Sequence, residues 1–460
     1  MSTITKLERR SKRYQAIVDG VDGAPTEDAL AVEFIDALML GAWEDAEQEP
    51  ACTFRYVAGR WFEWTGSVWA EERTLKVYDS IRAFLRGKAE PETQRRTCSA
   101  QTVAAVERLA RSDRRCATLP EAFDSDTFLL NTAGGIVDLR TGDMRPHDAR
   151  ELMSRVTAVR PGGQCPRWRE FLKQVTDGDD ELATYLQRFA GYSLTGETRE
   201  HATFFMYGSG GNGKSVFLNT VGALLGGYAK VAPMEAFTES RGDRHPTELA
   251  MLQGARLVTS QETEQGRAWA ESRIKALTGA DLISARWMRG DFFTYRPQFK
   301  LAIAGNHKPT LKTVDEGMRR RLHLIPFVVT VPPDKRDPML PQVLLGEAGG
   351  ILEWAIEGCL DWQSGGLRPP ERVLAATSDY FESQDAFGSW FEDCCEPAPN
   401  GWELPGALFS SWKKWAEKAA EPFGSQRTFS ERLESAGFTR AKTNGSRIYR
   451  GLRLRETGLS

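Results

Sequence analysis

The stretch FFMYGSGGNGKSVFLNTVGALLGG, residues 204–227, satisfies two phosphate-binding patterns at once. Gly208, Gly210 and Gly213 spell G-x-G-x-x-G, a dinucleotide clamp, whereas Gly208, Gly213, Lys214 and Ser215 spell G-x-x-x-x-G-K-S, a loop that grips a nucleoside triphosphate. Both require a strand before the loop and a helix after it. The sequence predicts both, with an apolar strand over 203–207 and an amphipathic helix over 215–225 stopped by Gly226-Gly227.

The dinucleotide pattern also requires an acid about 20 residues on, at a strand end, to hold a ribose. Glu235 is near that distance but follows Pro233 in AKVAPMEAF, a poor strand terminus. The triphosphate pattern finds more support. Backbone N–H groups of residues 209–213 would surround the phosphates at a helix N-terminus, Lys214 would reach the β and γ phosphates, and Ser215 would ligate Mg²⁺. The expected nucleotide-binding set runs through Gly208, Ser209, Gly210, Gly211, Asn212, Gly213, Lys214, Ser215 and Val216.

Triphosphate hydrolysis also needs acids on a second strand to hold Mg²⁺ and polarise water. ARLVTSQETE supplies a strand over 256–261 with Glu262 and Glu264 at its C-terminal end, where ligands of open parallel sheets collect. Glu262 is read as the Mg²⁺-linked acid and Glu264 as the base, and the two roles are interchangeable at this stage. A third strand, FKLAIAGNHKP, ends at Asn306, whose neutral amide can orient the lytic water beside the γ-phosphate. Arg319, Arg320 and Arg321 then enter the apolar strand of RRRLHLIPF. From a strand start, Arg320 or Arg321 is placed to act as a finger on a neighbouring subunit's γ-phosphate, which demands a ring.

Between the acids and Asn306, LISARWM and FFTYRPQ read as two strands joined at Arg289-Gly290-Asp291, an inserted hairpin. Arg286 and Arg289, interleaved with Trp287, Phe292 and Tyr295, suit a grip on single-stranded backbone and bases.

The rest of the chain bounds this reading. In 460 residues, 41% are hydrophobic and 27% charged, which fits soluble globular protein of about three domains. A net charge of −3 requires any nucleic-acid contact to come from local patches. Seven cysteines without C-x-x-C spacing suit neither a disulfide framework nor a zinc cluster, so reduced thiols in a cytoplasm are expected. No apolar run of about 18 residues occurs, and no membrane role is expected.

The sequence divides into a tail and helix (1–48), an α+β domain (49–195), the α/β motor (196–345), a helical extension ending in a linker, EPAPNGWELPG (346–399 and just beyond), and a basic unit over 400–460. Trp61, Trp64 and Trp69 in WFEWTGSVW read as hairpin core rather than base-stacking platforms. The basic unit has eleven cations against six acids and reads helix, helix, strand, strand, a winged-helix-like pattern with a basic wing that would bind duplex DNA through phosphates. The DNA-contacting set is Lys275 ahead of the hairpin, Arg286 and Arg289 within it, and Lys442 and Arg447 on the wing.

In this order, GSGGNGKS, LVTSQETE, IKALTGADLISAR, AIAGNHKP and RRRLHLIPF resemble the superfamily 3 helicases, specifically the phage and plasmid primase family related to the poxviral primase-helicase. WFEWTGSVW, LLNTAGGIVDLRTGDM, CPRWREFL and LQRFAGYSLTG look like that family's helicase-associated domain. The resemblance implies an AAA+-like motor that uses ATP and Mg²⁺, with Lys214, Glu262, Glu264, Asn306, Arg320 and Arg321 in catalysis and Ser215 and Glu262 at the metal. It also implies a hexameric ring, 3′-to-5′ movement on single-stranded and forked DNA, and a separate primase or polymerase as partner. Two departures stand out: Glu-Thr-Glu replaces two adjacent acids, and Met318-Arg319 stands where an aromatic-arginine step is common. About 50 residues precede the helicase-associated domain, too few for a primase-polymerase, so primer synthesis by this chain is not expected. The rivals from other classes are an ATP-switched origin-binding or loading factor that does not unwind DNA and, far behind, a nicotinamide oxidoreductase. A GTPase is disfavoured because NHKP is not an N-K-x-D guanine clamp.

Overall fold

The computed structural model describes residues 25–40, 51–239, 247–262, 268–279, 281–288, 290–311, 315–419, 421, 423–443 and 446–455. The chain begins with α1 (Glu27–Ala37), whose N-cap Thr26 accepts a hydrogen bond from Ala29 N. An antiparallel meander follows, β1 (Phe54–Val57), β2 (Arg60–Trp64) and β3 (Trp69–Glu71), then α2 (Lys76–Lys88) and α3 (Ala100–Ala110). Leu30, Phe34 and Ile35 of α1 share one core with Trp61, Ile81, Leu85 and Val106. The first helix, expected to stand apart with the tail, is thus part of this domain: its apolar face is the lid that closes the core. Trp61 and Trp69 are buried as expected, each with its indole N–H satisfied, by Glu107 Oε1 at 2.7 Å and by the Ala149 carbonyl at 2.8 Å.

After this core come the hairpin β4 (Leu129–Thr132) and β5 (Gly135–Asp138), then α4 (Pro166–Val175) and α5 (Asp180–Leu194). Asp179 caps α5 by accepting from Leu182 N. The motor follows: β6 (Thr203–Tyr207), α6 (Lys214–Leu225), β7 (Ala229–Val231), β8 (Leu257–Glu262), α7 (Glu271–Thr278), the hairpin β9 (Ile283–Arg286) and β10 (Phe292–Tyr295), β11 (Lys300–Gly305) and β12 (Leu322–Pro326). Five strands form a parallel sheet in the order β7-β8-β11-β6-β12. The apolar, largely buried character of β6, β11 and β12 follows from helices covering both faces. In register, Glu262 pairs with Gly305, and Gly305 and Pro326 both pair with Tyr207, so four strands end level at one edge of the sheet.

Three helices complete the motor's surroundings: α8 (Leu340–Gly346), α9 (Ala348–Gly365) and α10 (Glu371–Ser383). Helices α5 and α9 cross in close contact at glycines, since a Cβ on Gly191 would lie 2.0 Å from Cys359 N and one on Gly358 would lie 2.2 Å from the Gln187 carbonyl.

The boundary expected at 195/196 does not separate two cores. One hydrophobic cluster contains Leu130, Trp168, Leu186 and Phe189 together with Phe204, Phe217, Ile325 and Trp362. Two buried cations reinforce the joint. Arg256 donates to the Leu194 and Leu129 carbonyls at 2.5 and 2.7 Å, and Lys300 donates to those of Thr195 and Glu197 at 2.5 and 3.2 Å, with its Nζ 4.5 Å from the Tyr192 ring centroid. The sequence misses this joint because strand and loop residues far apart in the chain create it.

The C-terminal unit comprises α11 (Ala386–Cys394), β13 (Cys395–Glu403), α12 (Pro405–Lys418), α13 (Gln426–Ser435), β14 (Thr439–Thr443) and β15 (Ser446–Leu454). Its antiparallel sheet has the order β13-β15-β14, and Trp390, Trp412, Phe429, Leu433 and Tyr449 fill its core. The segment expected to be a linker, EPAPNGWELPG, is instead mostly strand β13, and the unit begins near residue 386 rather than 400. Pro397 and Pro399 are tolerated because β13 is an edge strand, with a bulge between Ala398 and Trp402.

Candidate nucleotide-binding site

The loop 208–213 leaves β6 at the level edge of the sheet and turns directly into α6. Gly210, Gly211 and Gly213 have φ of +77°, +67° and +85°, a left-handed conformation that side chains rarely adopt. Gly213 is required for space as well, because a Cβ there would lie 2.6 Å from Val175 Cγ1 and 2.9 Å from Phe171 Cε2. As N-cap of α6, Gly213 offers no side-chain acceptor, so the first amide N–H groups of the helix remain free for an anion. The helix is held down by Phe217, Leu218, Val221, Leu224 and Leu225, all buried, each contributing ~1.5–3 kcal/mol of burial.

A cavity of about 490 Å³ opens over this loop. Its walls are the loop and helix start, from Gly210 through Asn212, Lys214 and Ser215 to Val216, and, from the neighbouring strand ends, Gln261, Ala304, Gly305 and Asn306. Three motifs separated by up to about a hundred residues in the chain therefore meet at one site. Lys214, 5% exposed, donates from Nζ to the Gly208 carbonyl (2.8 Å), Asn212 Oδ1 (2.9 Å) and Asn306 Oδ1 (3.2 Å). Burial holds its pKa below the usual lysine value, since the charged form loses water there. Phosphate oxygens would replace these three acceptors and restore the charge's stabilisation.

The residues fit a triphosphate and its Mg²⁺. The cavity presents backbone amides, one buried ammonium and the exposed hydroxyl of Ser215, while β8 delivers its last residue, Glu262, to the same edge. Among the described residues no group of three or more His, Cys, Asp or Glu could hold a metal by itself. Mg²⁺ beside phosphates and water takes one or two protein ligands, so it does not need such a group. Glu264 lies outside the described residues.

Two features escaped the sequence reading. Gln261, one residue before the expected acid, lines the cavity. Asn212 has a structural task besides lining it: at 2% exposure, its Nδ2 donates to the Phe327 carbonyl at 2.6 Å while its Oδ1 receives Lys214. The amide at this position is a local clue, but its partner lies 115 residues away.

Comparison with known proteins finds similarities over parts of the chain. Residues 46–177 match the family described as D5 N terminal like, and residues 206–321 match a family of unknown function, DUF5906. A protein named as a putative helicase in Acanthamoeba polyphaga mimivirus is 28% identical over 213 residues, covering 45% of this chain and 22% of the relative. One of the same designation in Frog virus 3 (isolate Goorha) is 23% identical over 269 residues, covering 54% of this chain and 28% of the relative. Over residues 46–177 the chain resembles the D5-like family, and over about half of its length it resembles viral putative helicases.

These matches span less than a third of the length of either viral relative. Among solved structures, an apo form of the NrS-1 C-terminal region covers 86% of this chain and 96% of its own, with a TM-score of 0.50 at 10% identity, a likeness of fold.

Other expected site residues sit away from the cavity. Arg320 and Arg321 precede Leu322, which pairs with Thr203, at the sheet edge opposite the glycine loop. Four residues of strand put them ~13 Å from their own loop's level. Arg320 is exposed, and Arg321 donates to the Gly317 carbonyl at 2.8 Å. In the hairpin, Arg286 pairs with Phe292 in register and lies over its ring, 5.0 Å from the centroid, while Trp287, Met288 and Phe292 are exposed. Arg289 lies outside the described residues, so the described part of the tip is mainly apolar. Lys275, expected to face DNA, instead forms an ion pair with Asp315, which also caps the short helix Glu316–Arg319. Its charge serves local structure. Lys442 and Arg447 are directly opposite on β14 and β15, both exposed, with no ion-pair partner among the described residues. No helix of the described residues is long and apolar enough to cross a membrane.

Proposed function

We propose that this chain is an ATP-dependent DNA helicase that hydrolyses ATP with Mg²⁺, assembles as a ring and serves replication of a phage, virus or other mobile element. The observation that carries this reading is the convergence of the glycine loop, the end of β8 and Asn306 on one cavity, in a domain that also carries an inserted hairpin. The viral relatives' designation as helicases supports it.

In this reading Lys214 and the loop amides hold the phosphates, with Ser215 and Glu262 at the Mg²⁺, which screens phosphate charge. Glu264 or Glu262 accepts a proton from the attacking water, and Asn306 orients that water through its amide. Lys214 and Asn306 are already linked at 3.2 Å, so phosphate that draws Lys214 away frees Asn306 for water. Arg320 and Arg321 lie at the sheet edge opposite their own site, which supports a finger given to the next subunit. A head-to-tail contact of that kind repeats around a closed ring, and six subunits are proposed. The C-terminal order helix, strand, helix, helix, strand, strand supports a winged-helix unit for duplex DNA. The paired cations Lys442 and Arg447, unfavourable beside each other alone, are suited to phosphate. Arg286 and its aromatic neighbours are proposed to meet single-stranded DNA.

The test is ATP hydrolysis by wild type and Lys214→Ala, with and without single-stranded DNA, beside strand displacement on forked duplexes of both polarities. DNA-stimulated hydrolysis and displacement that both require Lys214 support the motor. Hydrolysis without displacement on any fork supports the rival, a loading factor that uses ATP to switch assembly.

A further inference from the structure

The segment after β12, residues 327–336, lies along the whole glycine loop. Phe327 N donates to the Tyr207 carbonyl at 2.8 Å, the Phe327 carbonyl receives Asn212 Nδ2, Thr330 Oγ1 meets Ser209 Oγ at 3.1 Å, and Val331 N donates to the Gly211 carbonyl at 2.9 Å. Pro332 and Pro333 fix the turn that follows. At its end the Arg336 side chain folds back: Nε donates to the Val331 carbonyl at 2.9 Å, and Nη2 lies against Gly211, where an added Cβ would be 2.2 Å from it. Arg336 is exposed and in no ion pair among the described residues.

A bound triphosphate with Mg²⁺ keeps net negative charge, and Lys214 is the only cation among the described residues of the cavity wall. Arg320 and Arg321 lie at the opposite edge of the sheet. The guanidinium of Arg336 is held against Gly211 in the middle of the loop, with Nη2 turned to it, and so places a further positive charge beside a residue of the cavity wall. A planar fork of donors matches phosphate oxygens in a way that an ammonium does not. We infer that Arg336 is a second phosphate-binding cation, supplied by the chain to its own site, and that the 327–336 segment is the arm that carries it. The inference rests on the triphosphate reading of the loop. It gives a role to Gly211, whose missing side chain lets the guanidinium approach.

The test uses the full chain and a fluorescent ATP analogue with Mg²⁺, titrated into wild type, Lys214→Ala, Arg336→Gln and Arg336→Lys at several salt concentrations, with nucleotide-free melting temperatures alongside. Glutamine can keep the bond to the Val331 carbonyl while removing the charge. Arg336→Gln should weaken analogue binding roughly ten- to hundredfold, flatten its salt dependence and leave the nucleotide-free melting temperature unchanged, and Arg336→Lys should recover part of the loss. If wild type and Lys214→Ala differ but Arg336→Gln binds as wild type does, this inference fails and the triphosphate reading stands. Weakened binding with an equal loss of nucleotide-free stability would make Arg336 a structural clasp and overturn the inference. If wild type binds no analogue, both fall.

Discussion

Acid should destabilise this protein through one histidine. His323, on β12, stacks on Tyr185 with centroids 6.1 Å apart and planes 7° apart, and its Nδ1 lies 2.7 Å from the Tyr185 hydroxyl. Burial lowers its pKa from 6.5 to about 4, because the charged ring would lose water in this aromatic layer. The unfolded chain takes up a proton near pH 6.5 and the folded chain only near pH 4, so falling pH favours the unfolded state. The stabilisation is whole above pH 6.5 and is lost as pH falls from 6.5 to 4. At pH 5 the difference in proton binding corresponds to about 2 kcal/mol for a fully enclosed ring. Part of the residue is solvent-accessible, so about 1–2 kcal/mol is expected. The assay is urea unfolding of wild type and His323→Phe at pH 8 and pH 5. Wild type should lose about 1–2 kcal/mol more than the variant between the two pH values. Equal losses would refute the assignment of this acid sensitivity to His323.

At the α5–α9 crossing, Gly191→Ala should cost at least about 1–3 kcal/mol, because the new methyl meets backbone that cannot rotate away; an unchanged denaturation midpoint would refute it. Asn212→Ala removes the donor to Phe327 and an acceptor of Lys214, so the melting temperature should fall by the equivalent of about 1–3 kcal/mol and the KM for ATP should rise, and wild-type values for both would refute the clasp. For Lys442→Glu combined with Arg447→Glu, duplex-DNA affinity should fall and the log–log salt slope should shrink by about 2, whereas an unchanged slope would remove these residues from the DNA face. Arg286→Ala should reduce strand displacement on a fork at least about tenfold, and wild-type displacement would refute a role for the hairpin in gripping DNA.

What the sequence made legible was what local chemistry writes locally. The glycine spacing, the strand before it and the helix after it predicted β6, the loop and α6 to within a residue, because left-handed turns and helix starts constrain nearby residue types. The ends of β8 and β11 were readable for the same reason, and Asn306 stands in the cavity as expected. Gln261 was hidden because its side carries no distinctive pattern. The 327–336 arm was hidden because its partners in the glycine loop lie more than a hundred residues away in the chain and are its neighbours only in the fold. Prolines misled at β13, since an edge strand has solvent-facing amides it can forgo. Lys275 looked like a free cation because Asp315, forty residues on, is its neighbour only in the fold.

Arg256 and Lys300 give the joint at residues 194–197 an electrical character. Each is a basic side chain withdrawn from water and held by main-chain oxygens, those of Leu129 and Leu194 for Arg256 and that of Thr195 among others for Lys300, whose burial also pushes its pKa well below the usual lysine value. A fragment cut at 195/196 would inherit both side chains without those three oxygens, leaving two solvent-starved basic groups at a freshly bared apolar surface. The smallest autonomous motor therefore starts well upstream of its first strand, and expression trials that trim to the glycine-loop domain would select against folding rather than for simplicity.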